Sequence, residues 1–473
     1  MEKINYKKIN FRCGIEIHRQ MSTHKLFCSC NSTLSNDVQM KIKRKLIPTT
    51  SELEEIDKVA KFEMGKNKYA IYEYSPEYSC LIELDEQPIN QINEDALDTA
   101  LIVSQMLNCN IIDEIQIMRK QVLDYSNTSS FQRTALIALD GYIKTSKGKI
   151  GIQTVCLEED AARKIKDEKD YVIYRLDRLG IPLIEIATAP DIKTPEQAKE
   201  VAEFLGMLLK STNRFKSGIG TIRQDLNLSI KNFPRVELKG VQDLRKIPTI
   251  IEKEIKRQLD LIKQNKKLKE EVRKVLPDCS SEFLRPLPGK ARLYVETDHP
   301  PIKITQQRLN QLEIPELITD RAINFERKYG ISPQIAREII KENVPFDYYA
   351  EKYKLDPNLI AYILIKIPKD IKTRYNIKKE PTKKDFEFIF KNIQSNKITK
   401  DAAYEILLNL IQNKKTNLNK YKIKDTKKVE QEIKKIVEKN KGASFNAIMG
   451  EVMKIYKGKM DNKFIVSMVK KYM

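Results

Sequence analysis

Residues 221–230, TIRQDLNLSI, decide the fold class, because charged and apolar side chains alternate along them. Successive side chains of a strand point to opposite faces of its sheet. One face therefore carries Arg223, Asp225 and Asn227, and the other is apolar except at Gln224. The segment predicts a strand with one buried face and one charged face.

Three further segments place charged residues on a predicted strand. They are Glu16 and His18 in GIEIHRQ, Glu237 and Lys239 in RVELKG, and Glu185 in IPLIEIAT. Any one such strand is typical of a sheet with a solvated side, but four of them suggest that the polar faces line one cleft. Carboxylates with a histidine suit Mg²⁺, and neighbouring Arg and Lys side chains suit phosphate. The pattern predicts ATP–Mg²⁺ chemistry, although neither GxxxxGKS nor GxxxxGKT occurs in the sequence.

The positive charge of the chain is large and unevenly distributed. The 473 residues include 86 Lys and Arg against 65 Asp and Glu, which gives a net charge of +21. Residues 411–473 alone contain 17 lysines and six acidic residues, whereas a lysine-rich genome would spread the charge more evenly. A concentrated positive charge favours a polyanionic partner, and we expect nucleic acid.

Membrane and secreted classes do not fit the composition. No run approaches the roughly 18 apolar residues that a membrane helix needs. The N-terminal MEKINYKKIN lacks the apolar core of a secretory signal, and the seven cysteines are too dispersed for a disulfide scaffold. We therefore expect a reduced, cytoplasmic protein with no membrane partner.

The pattern changes from strands to helices along the chain. The segment KIGIQTVCLEED at 149–160 is a fifth predicted strand. A helix is predicted at 194–212, where Thr194 can cap it and Pro195 suits the first turn. A Lys-rich stretch at 247–276 is predicted to be helical, and beyond 303 the pattern is almost wholly helical. The sequence thus predicts the α+β class, with domains at 1–302, 303–415 and 416–473.

Five motifs in order resemble the GatB/GatE family, the tRNA-dependent amidotransferase subunits. They are GIEIHRQMSTHKLFCSC (14–30), CLEEDAARK (156–164), RLGIPLIEIATAPDI (178–192), GIGTIRQDLNLSI (218–230) and RVELKGVQDL (235–244). The segments YEYSPEYSCLIELDEQP (72–88) and MRKQVLDYSNTSSFQRTALIALDG (118–141) are more similar to the GatE branch than to GatB. The segment from Gly442 onward resembles the tail domain shared with YqeY-like proteins.

The resemblance implies a fold and a reaction. The fold would be a glutamine synthetase/guanido kinase-like cradle of antiparallel sheet and helices, then a helical domain and a small helical YqeY-like tail. The enzyme would be an ATP-dependent carbon–nitrogen ligase, with ATP and Mg²⁺ as cofactors. It would phosphorylate the γ-carboxylate of Glu on mischarged Glu-tRNA(Gln) and amidate it with ammonia to give Gln-tRNA(Gln). In the GatE branch the ammonia comes from a GatD-like, asparaginase-type amidase, in a heterodimer or a dimer of heterodimers.

The resemblance also assigns roles to single residues. The catalytic set is Glu16, Lys120, Glu158 and Asp225. The metal set is His18, Glu159 and Glu185, with Glu158 open as the alternative to Glu159. The cofactor-binding set is Arg223, Asn227, Glu237, Lys239 and Arg292.

Two features depart from the family pattern. Some GatB proteins bind zinc through two cysteine pairs near Cys28 and Cys30, but here no second pair follows and Cys80 is remote in sequence. Since two thiolates do not complete a tetrahedral site, the sequence argues against zinc. The GatE branch usually carries an inserted domain after the helix near Leu261, and only about ten residues occupy that place here.

Three alternatives remain open at this point. Without the insertion, the chain also fits a GatB-like subunit of a GatCAB-type Asp/Glu-tRNA amidotransferase. A non-catalytic tRNA-binding protein would explain the basic tail but not the carboxylates. A free-standing amino-acid ligase of the glutamine synthetase type would explain the cradle but not the tail.

Overall fold

The structure of the chain is a computed structural model. It describes residues 4–45, 62, 65–122, 124–266, 269–287, 293–342, 344–377, 379–414, 418–421, 426–456 and 462–473. Two compact units divide the chain, Met1–Glu316 and Leu317–Met473. No helix in these described ranges is both long enough and apolar enough to span a bilayer.

A sheet of eleven strands dominates the described part of the first unit. In spatial order its strands are β15 (Ser281–Pro286), β14 (Glu271–Val275), β13 (Val236–Val241), β12 (Ile222–Ser229), β1 (Arg12–Gln20), β11 (Pro182–Thr188), β8 (Gly148–Glu159), β7 (Phe131–Thr145), β6 (Ile117–Gln121) and β16 (Leu293–Val295), with β4 (Asn110–Ile111) beside β7. Neighbouring strands are antiparallel except for β13 and β14, which are parallel.

Two smaller sheets contain the other strands described in this unit. One has the order β2 (Met40–Arg44), β3 (Tyr69–Tyr74), β10 (Tyr171–Arg175) and β9 (Arg163–Asp167), and the other pairs β5 (Glu114–Ile115) with β17 (Ile302–Lys303). The four-stranded sheet has its own buried core, in which the rings of Tyr72 and Tyr174 stack.

Helices cover one face of the large sheet and leave the other face for the charged residues. The helices described in this unit are α1 (Glu94–Met106), α2 (Pro195–Ser211), α3 (Ile247–Lys263) and α4 (Gln306–Gln311). Ile15 and Ile17 of β1 are fully buried, and Arg19 on the same face donates to the Gly206 carbonyl of α2. Glu16 and His18 point the other way, because side chains alternate along a strand.

Local sequence signals explain most element boundaries. All five segments predicted as strands are strands, and the predicted helix begins at Pro195. The Thr194 hydroxyl accepts from the Gln197 amide at 3.2 Å, which caps the first turn.

The prediction of a continuous helix over 247–276 is wrong in its second half. The helix ends at Lys263, and Asn265 turns the chain with a left-handed φ of 49°. Residues Glu271–Val275 then form β14 between β13 and β15. Pairing on both sides and burial of Val272 outweigh the weak helical preference of this charged segment.

The described residues of the second unit are helical. Their helices are α5 (Ile318–Tyr329), α6 (Pro333–Lys341), α7 (Phe346–Lys352), α8 (Pro357–Ala361), α9 (Ile367–Tyr375), α10 (Lys383–Gln394), α11 (Ala403–Ile411), α12 (Thr426–Lys439), α13 (Phe445–Tyr456) and α14 (Asn462–Tyr472). A turn of π-helix, Tyr362–Lys366, joins α8 to α9, and short 3₁₀ turns occur at Lys400–Ala402 and Leu418–Tyr421. The α5–α11 region and the α12–α14 region have separate apolar cores.

The boundary between the units lies later than the predicted one at 302/303. Helix α4 stays with the first unit, where Arg308 pairs with Glu94 and Asp98 of α1 at 2.6 Å each. A further division at 416 stays a prediction, and most of the predicted linker 416–425 lies outside the described residues.

Candidate active site: a charged cleft on the sheet

The charged face of the large sheet lines a cleft of about 620 Å³. Residues from β1, β6, β7, β8, β11, β12, β13 and β15 contribute to it, together with Lys164 and Tyr174 of the four-stranded sheet. The predicted gathering of polar strand faces is therefore what the structure shows.

One group in the cleft consists of His18, Glu158 and Glu185, whose potential ligand atoms all lie within 4.8 Å of one another. Strand register brings them together, because His18 of β1 is opposite Glu185 of β11. His18 Nε2 lies 3.0 Å from Glu185 Oε2. The Lys120 ammonium donates to Glu158 and lies 3.9 Å from Glu185.

Electrostatics in this group favour the charged forms. Although burial opposes ionisation, Lys120 and His18 hold the pKa of Glu185 well below its usual range. Burial also opposes the imidazolium, yet the hydrogen bond with Glu185 raises the pKa of His18. Thr134 and Gln132 donate to Glu158 at 2.9 and 3.1 Å, which fixes that carboxylate in place.

A second group consists of Glu16, Asp225 and Glu237, again with oxygens within 4.8 Å of one another. Lys239 Nζ contacts Asp225 Oδ2 at 2.8 Å and Glu237 Oε1 at 2.6 Å. Asn227 donates to Glu16 Oε1 at 2.8 Å. Burial, together with the nearby carboxylates of Glu185 and Glu237, raises the pKa of Glu16 to about 7.

A third set of charges surrounds Asp160, which was not predicted as part of the site. Asp160 is buried and accepts from Arg223 Nη2 at 3.2 Å and from Gln20 Nε2 at 2.7 Å, and Arg178 Nε lies 3.8 Å from it. Although burial would raise it, Arg223 and Arg178 hold the pKa of Asp160 below its usual range. Asp160 is the third acid of the motif CLEEDAARK, so the signal was present in the sequence.

Glu159 does not share the cleft, and its prediction as a metal ligand is corrected here. It follows Glu158 on β8 and therefore points to the opposite face. There its carboxylate accepts from the backbone N–H of Arg133 at 3.2 Å and lies 3.5 Å from the Arg133 guanidinium, which also pairs with Glu296 at 2.7 Å. Glu158 is the acid that lies beside His18 and Glu185.

Ten of the twelve predicted site residues line this cleft or bond to a side chain that does. Asn227 reaches it only through Glu16, Glu159 is the exception described above, and Arg292 lies outside the described residues. Arg235 and Arg285 also line the cleft, and sequence reasoning missed both as site residues.

Comparison with known proteins identifies the family of the chain. Residues 11–310 match the family model of the GatB/GatE catalytic domain, and residues 345–473 match that of the GatB domain. The chain belongs to the GatB/GatE family. The resemblance seen in the motifs and the α+β cradle with a helical C-terminal part are thereby confirmed.

Full-length relatives in this family carry one name. The chain is 35% identical to the GatE subunit of glutamyl-tRNA(Gln) amidotransferase from Sulfurisphaera tokodaii, with all of both chains covered. It is 34% identical to the protein of that name from Methanocaldococcus jannaschii, with 99% of both covered. The first alignment spans 634 positions although this chain has 473 residues, so segments of that relative have no counterpart here.

A separate group of cysteines changes the argument about zinc. Cys80 and Glu83 lie with Cys28 and Cys30, and the four ligand atoms are within 4.8 Å of one another. Cys28 Sγ donates to Glu83 Oε1 at 3.0 Å, and the cysteines are free thiols. Cys80 is remote from the pair in sequence, but the fold brings it there. Three thiols and a carboxylate form a set of the kind that holds tetrahedral Zn²⁺.

Proposed function

We propose that this chain is the subunit of a glutamyl-tRNA(Gln) amidotransferase that activates the glutamyl side chain for amidation. The observation that carries the proposal is that two clusters of acidic residues share one cleft. Each cluster forms an ion pair with a lysine, Lys120 in the first and Lys239 in the second. The full-length GatE relatives support the choice of Glu-tRNA(Gln) as substrate.

The first carboxylate group fits Mg²⁺. Its carboxylate oxygens are hard ligands, and one ligand atom from each of His18, Glu158 and Glu185 lies within 4.8 Å of the others. Glu158, Glu185 and His18 are the residues that would hold the ion. When bound, Mg²⁺ offsets negative charge on a transferring phosphoryl group.

Lys120 and Glu158 would position the reacting groups. A γ-carboxylate is a poor acyl donor, and phosphorylation turns one of its oxygens into a good leaving group. Lys120 supplies a positive charge within the cleft where an anionic carboxylate and a phosphoryl group must approach one another. Thr134 and Gln132 keep Glu158 in place without reorganisation during the reaction.

The partners in this proposal are an amidase and the tRNA. Ammonia would come from a GatD-like, asparaginase-type amidase, and the basic tail from 416 to 473 would hold the tRNA. In support, Lys454, Lys470 and Lys471 are exposed around a buried apolar core. Such cations position a polyanion without reading its sequence.

ATP hydrolysis measured with free ammonium tests the proposal. We expect hydrolysis that depends on Glu-tRNA(Gln) and yields Gln-tRNA(Gln), with no added amidase at saturating ammonium. Hydrolysis with free glutamate in place of Glu-tRNA(Gln) would instead identify a free-standing ligase. Binding of Glu-tRNA(Gln) without any hydrolysis would identify a non-catalytic tRNA-binding protein.

A further inference from the structure

The loop between β6 and β7 brings two polar side chains to the cleft that were not predicted as site residues. These are Asp124 and Asn127, and both line the cleft. Asn127 is 1% exposed, and its Nδ2 has no hydrogen-bond partner among the described residues. The half-buried Asp124 forms no ion pair within the described ranges. Burial without partners is unfavourable for both groups, and a ligand that carries a hydrogen-bond acceptor beside a cation would satisfy them together.

The Ser126 hydroxyl connects these two side chains. It donates to Asp124 Oδ1 at 2.5 Å and lies 3.3 Å from Asn127 Oδ1, and the Ser126 N–H also donates to Asp124 Oδ1 at 3.1 Å. Each side chain thus uses one polar atom within the loop. Asp124 Oδ2 and Asn127 Nδ2 are the atoms left for a ligand.

The backbone of this loop is strained and held in place. Tyr125 and Ser130 each have a left-handed φ of 64°, which a side chain as large as tyrosine rarely adopts. The Tyr125 ring lies in the buried core of the four-stranded sheet, its carbonyl accepts from the Tyr72 hydroxyl at 2.9 Å, and its hydroxyl donates to the Lys68 carbonyl at 2.6 Å. Such strain persists where the surroundings fix a functional conformation. The loop therefore places Asp124 and Asn127 before a ligand binds.

This loop begins beside Lys120. The Val122 N–H donates to the Ser130 carbonyl at 2.8 Å, which closes the loop at the ends of β6 and β7. Lys120 precedes Val122 by two residues, about 7 Å along an extended chain. Since Lys120, Asp124 and Asn127 all line one cleft, a single small ligand can contact the lysine at one end and the loop at the other.

The glutamyl ester of a tRNA carries the three groups that these side chains require. Its γ-carboxylate is an anion for Lys120, its α-ammonium is a cation for Asp124, and its ester carbonyl is an acceptor for Asn127. A phosphate group fits less well, because it would accept from Asn127 but would be repelled by the Asp124 carboxylate.

We propose that Asp124 and Asn127 bind the α-amino ester end of the glutamyl group. Asp124 pairs with the α-ammonium, and Asn127 donates to the ester carbonyl oxygen. The two side chains thereby select an aminoacyl-tRNA with a free amino group and hold its γ-carboxylate at Lys120. This assignment rests on the proposed function, because it takes Glu-tRNA(Gln) as the substrate.

Amidation by the full-length chain, with ATP, Mg²⁺ and ammonium at pH 7, tests the assignment on two substrates. One is Glu-tRNA(Gln), and the other is N-acetyl-Glu-tRNA(Gln), which lacks the α-ammonium charge but keeps the ester and the γ-carboxylate. The wild-type chain should prefer Glu-tRNA(Gln) in kcat/KM at least about tenfold, roughly 1.4 kcal/mol. Asp124→Asn should abolish most of this preference by slowing Glu-tRNA(Gln) alone. Asp140→Asn is the matched control, since Asp140 is an exposed acid of β7 outside the cleft, and the preference should stay unchanged.

Asn127→Leu tests the second contact. It should lower kcat/KM for both substrates at least about tenfold, because both keep the ester carbonyl. Binding of uncharged tRNA(Gln) should stay unchanged, because that tRNA has no ester.

Three results would overturn the assignment. These are equal use of the two substrates by the wild-type chain, equal losses for both in Asp124→Asn, and unchanged kcat/KM in Asn127→Leu. If Asn127→Leu unfolds at a lower temperature than wild type, the preference of Asp124→Asn decides, since a ratio of two rates does not depend on the folded fraction. A wild-type chain that amidates neither substrate would contradict the proposed function, and this assignment with it.

Discussion

Charged side chains are buried in the cleft but exposed on the C-terminal helices α12–α14. The cleft holds Glu158, Asp160 and Asp225 at less than a tenth of their full exposure, each beside a cation. The core of α12–α14 is apolar apart from the hydroxyl of Tyr456, and its described lysines face solvent. Burying a carboxylate costs free energy that pairing only partly offsets, whereas an exposed lysine costs almost none.

Under the proposed function, the cleft performs the chemistry and the helices bind the tRNA. Buried charges would then be retained in the cleft because positions within an ångström matter for phosphoryl transfer. The helices would need only a net positive surface, because contacts to a phosphate backbone tolerate imprecise geometry. Substitutions should therefore act on rate in the cleft, and on KM and salt dependence in the tail.

The largest effect is expected for Glu185→Ala in the cleft. The variant should lower phosphorylation of Glu-tRNA(Gln) by at least about a hundredfold, because it removes a carboxylate that orients His18 and contacts Lys120. Binding of Glu-tRNA(Gln), measured by filter retention, should stay nearly unchanged. Glu203→Ala, an exposed acid on α2, is the control. A near-wild-type rate in Glu185→Ala would remove Glu185 from the site.

Removal of residues 416–473 should give the next largest effect. We expect the KM for Glu-tRNA(Gln) to rise at least about tenfold, roughly 1.4 kcal/mol, with kcat little changed. The first unit should stay folded, since α12–α14 have their own core. The dependence of KM on salt should also become weaker, because fewer counterions are released. Unchanged KM and salt dependence would show that the tail does not hold the tRNA.

The buried carboxylate of Glu16 should make the stability of the first unit depend on pH. In metal-free protein, burial raises the pKa of Glu16 to about 7, from an ordinary value of 4.5. Between these pH values the unfolded chain loses its proton first, so Glu16 lowers stability as pH rises. Glu16→Gln should remove this loss and gain on the order of 3 kcal/mol over wild type above pH 7, but nothing below pH 4.5. Urea unfolding at several pH values measures the difference, and parallel profiles would contradict it.

The smallest effect is expected on the surface of the tail. The exposed Lys471 pairs at 2.8 Å with the partly exposed Glu430, where solvent screens the attraction. Lys471→Gln should leave the thermal unfolding midpoint of the chain unchanged within error. A clear decrease would mean that the tail, like the cleft, depends on a charge pair for its stability.

Sequence patterns predicted the elements better than the side-chain partners. Strand alternation identified β1, β8, β11, β12 and β13, and the Thr194–Pro195 signal identified the start of α2. Alternation could not decide between Glu158 and Glu159, because the register of β8 against β11 depends on tertiary packing. For the same reason the proximity of Cys80 to Cys28 was not visible in the sequence.

Helix periodicity had a similar limit in the tail. Helical spacing in the sequence predicts one buried stripe there, formed by Phe445, Ile448, Met449, Val452, Ile455 and Tyr456. In the structure Ile448, Val452 and Tyr456 lie in the core, with Phe445 and Met449 packed against it. Ile455 was predicted in the same stripe, but it is 43% exposed. The apolar face of a helix can be wider than the surface that packs against it. Whether a residue at the margin of that face is buried therefore depends on the neighbouring helices.

Transfer of label from γ-labelled ATP to Glu-tRNA(Gln), without ammonia, tests the central claim most directly. The comparison is between Glu158→Gln and Glu159→Gln, two neighbouring acids on opposite faces of β8. The account predicts that Glu158→Gln loses label transfer, whereas the folded fraction of Glu159→Gln transfers label at nearly the wild-type rate. Normal transfer by Glu158→Gln, with transfer lost in folded Glu159→Gln, would show that phosphorylation does not occur in this cleft.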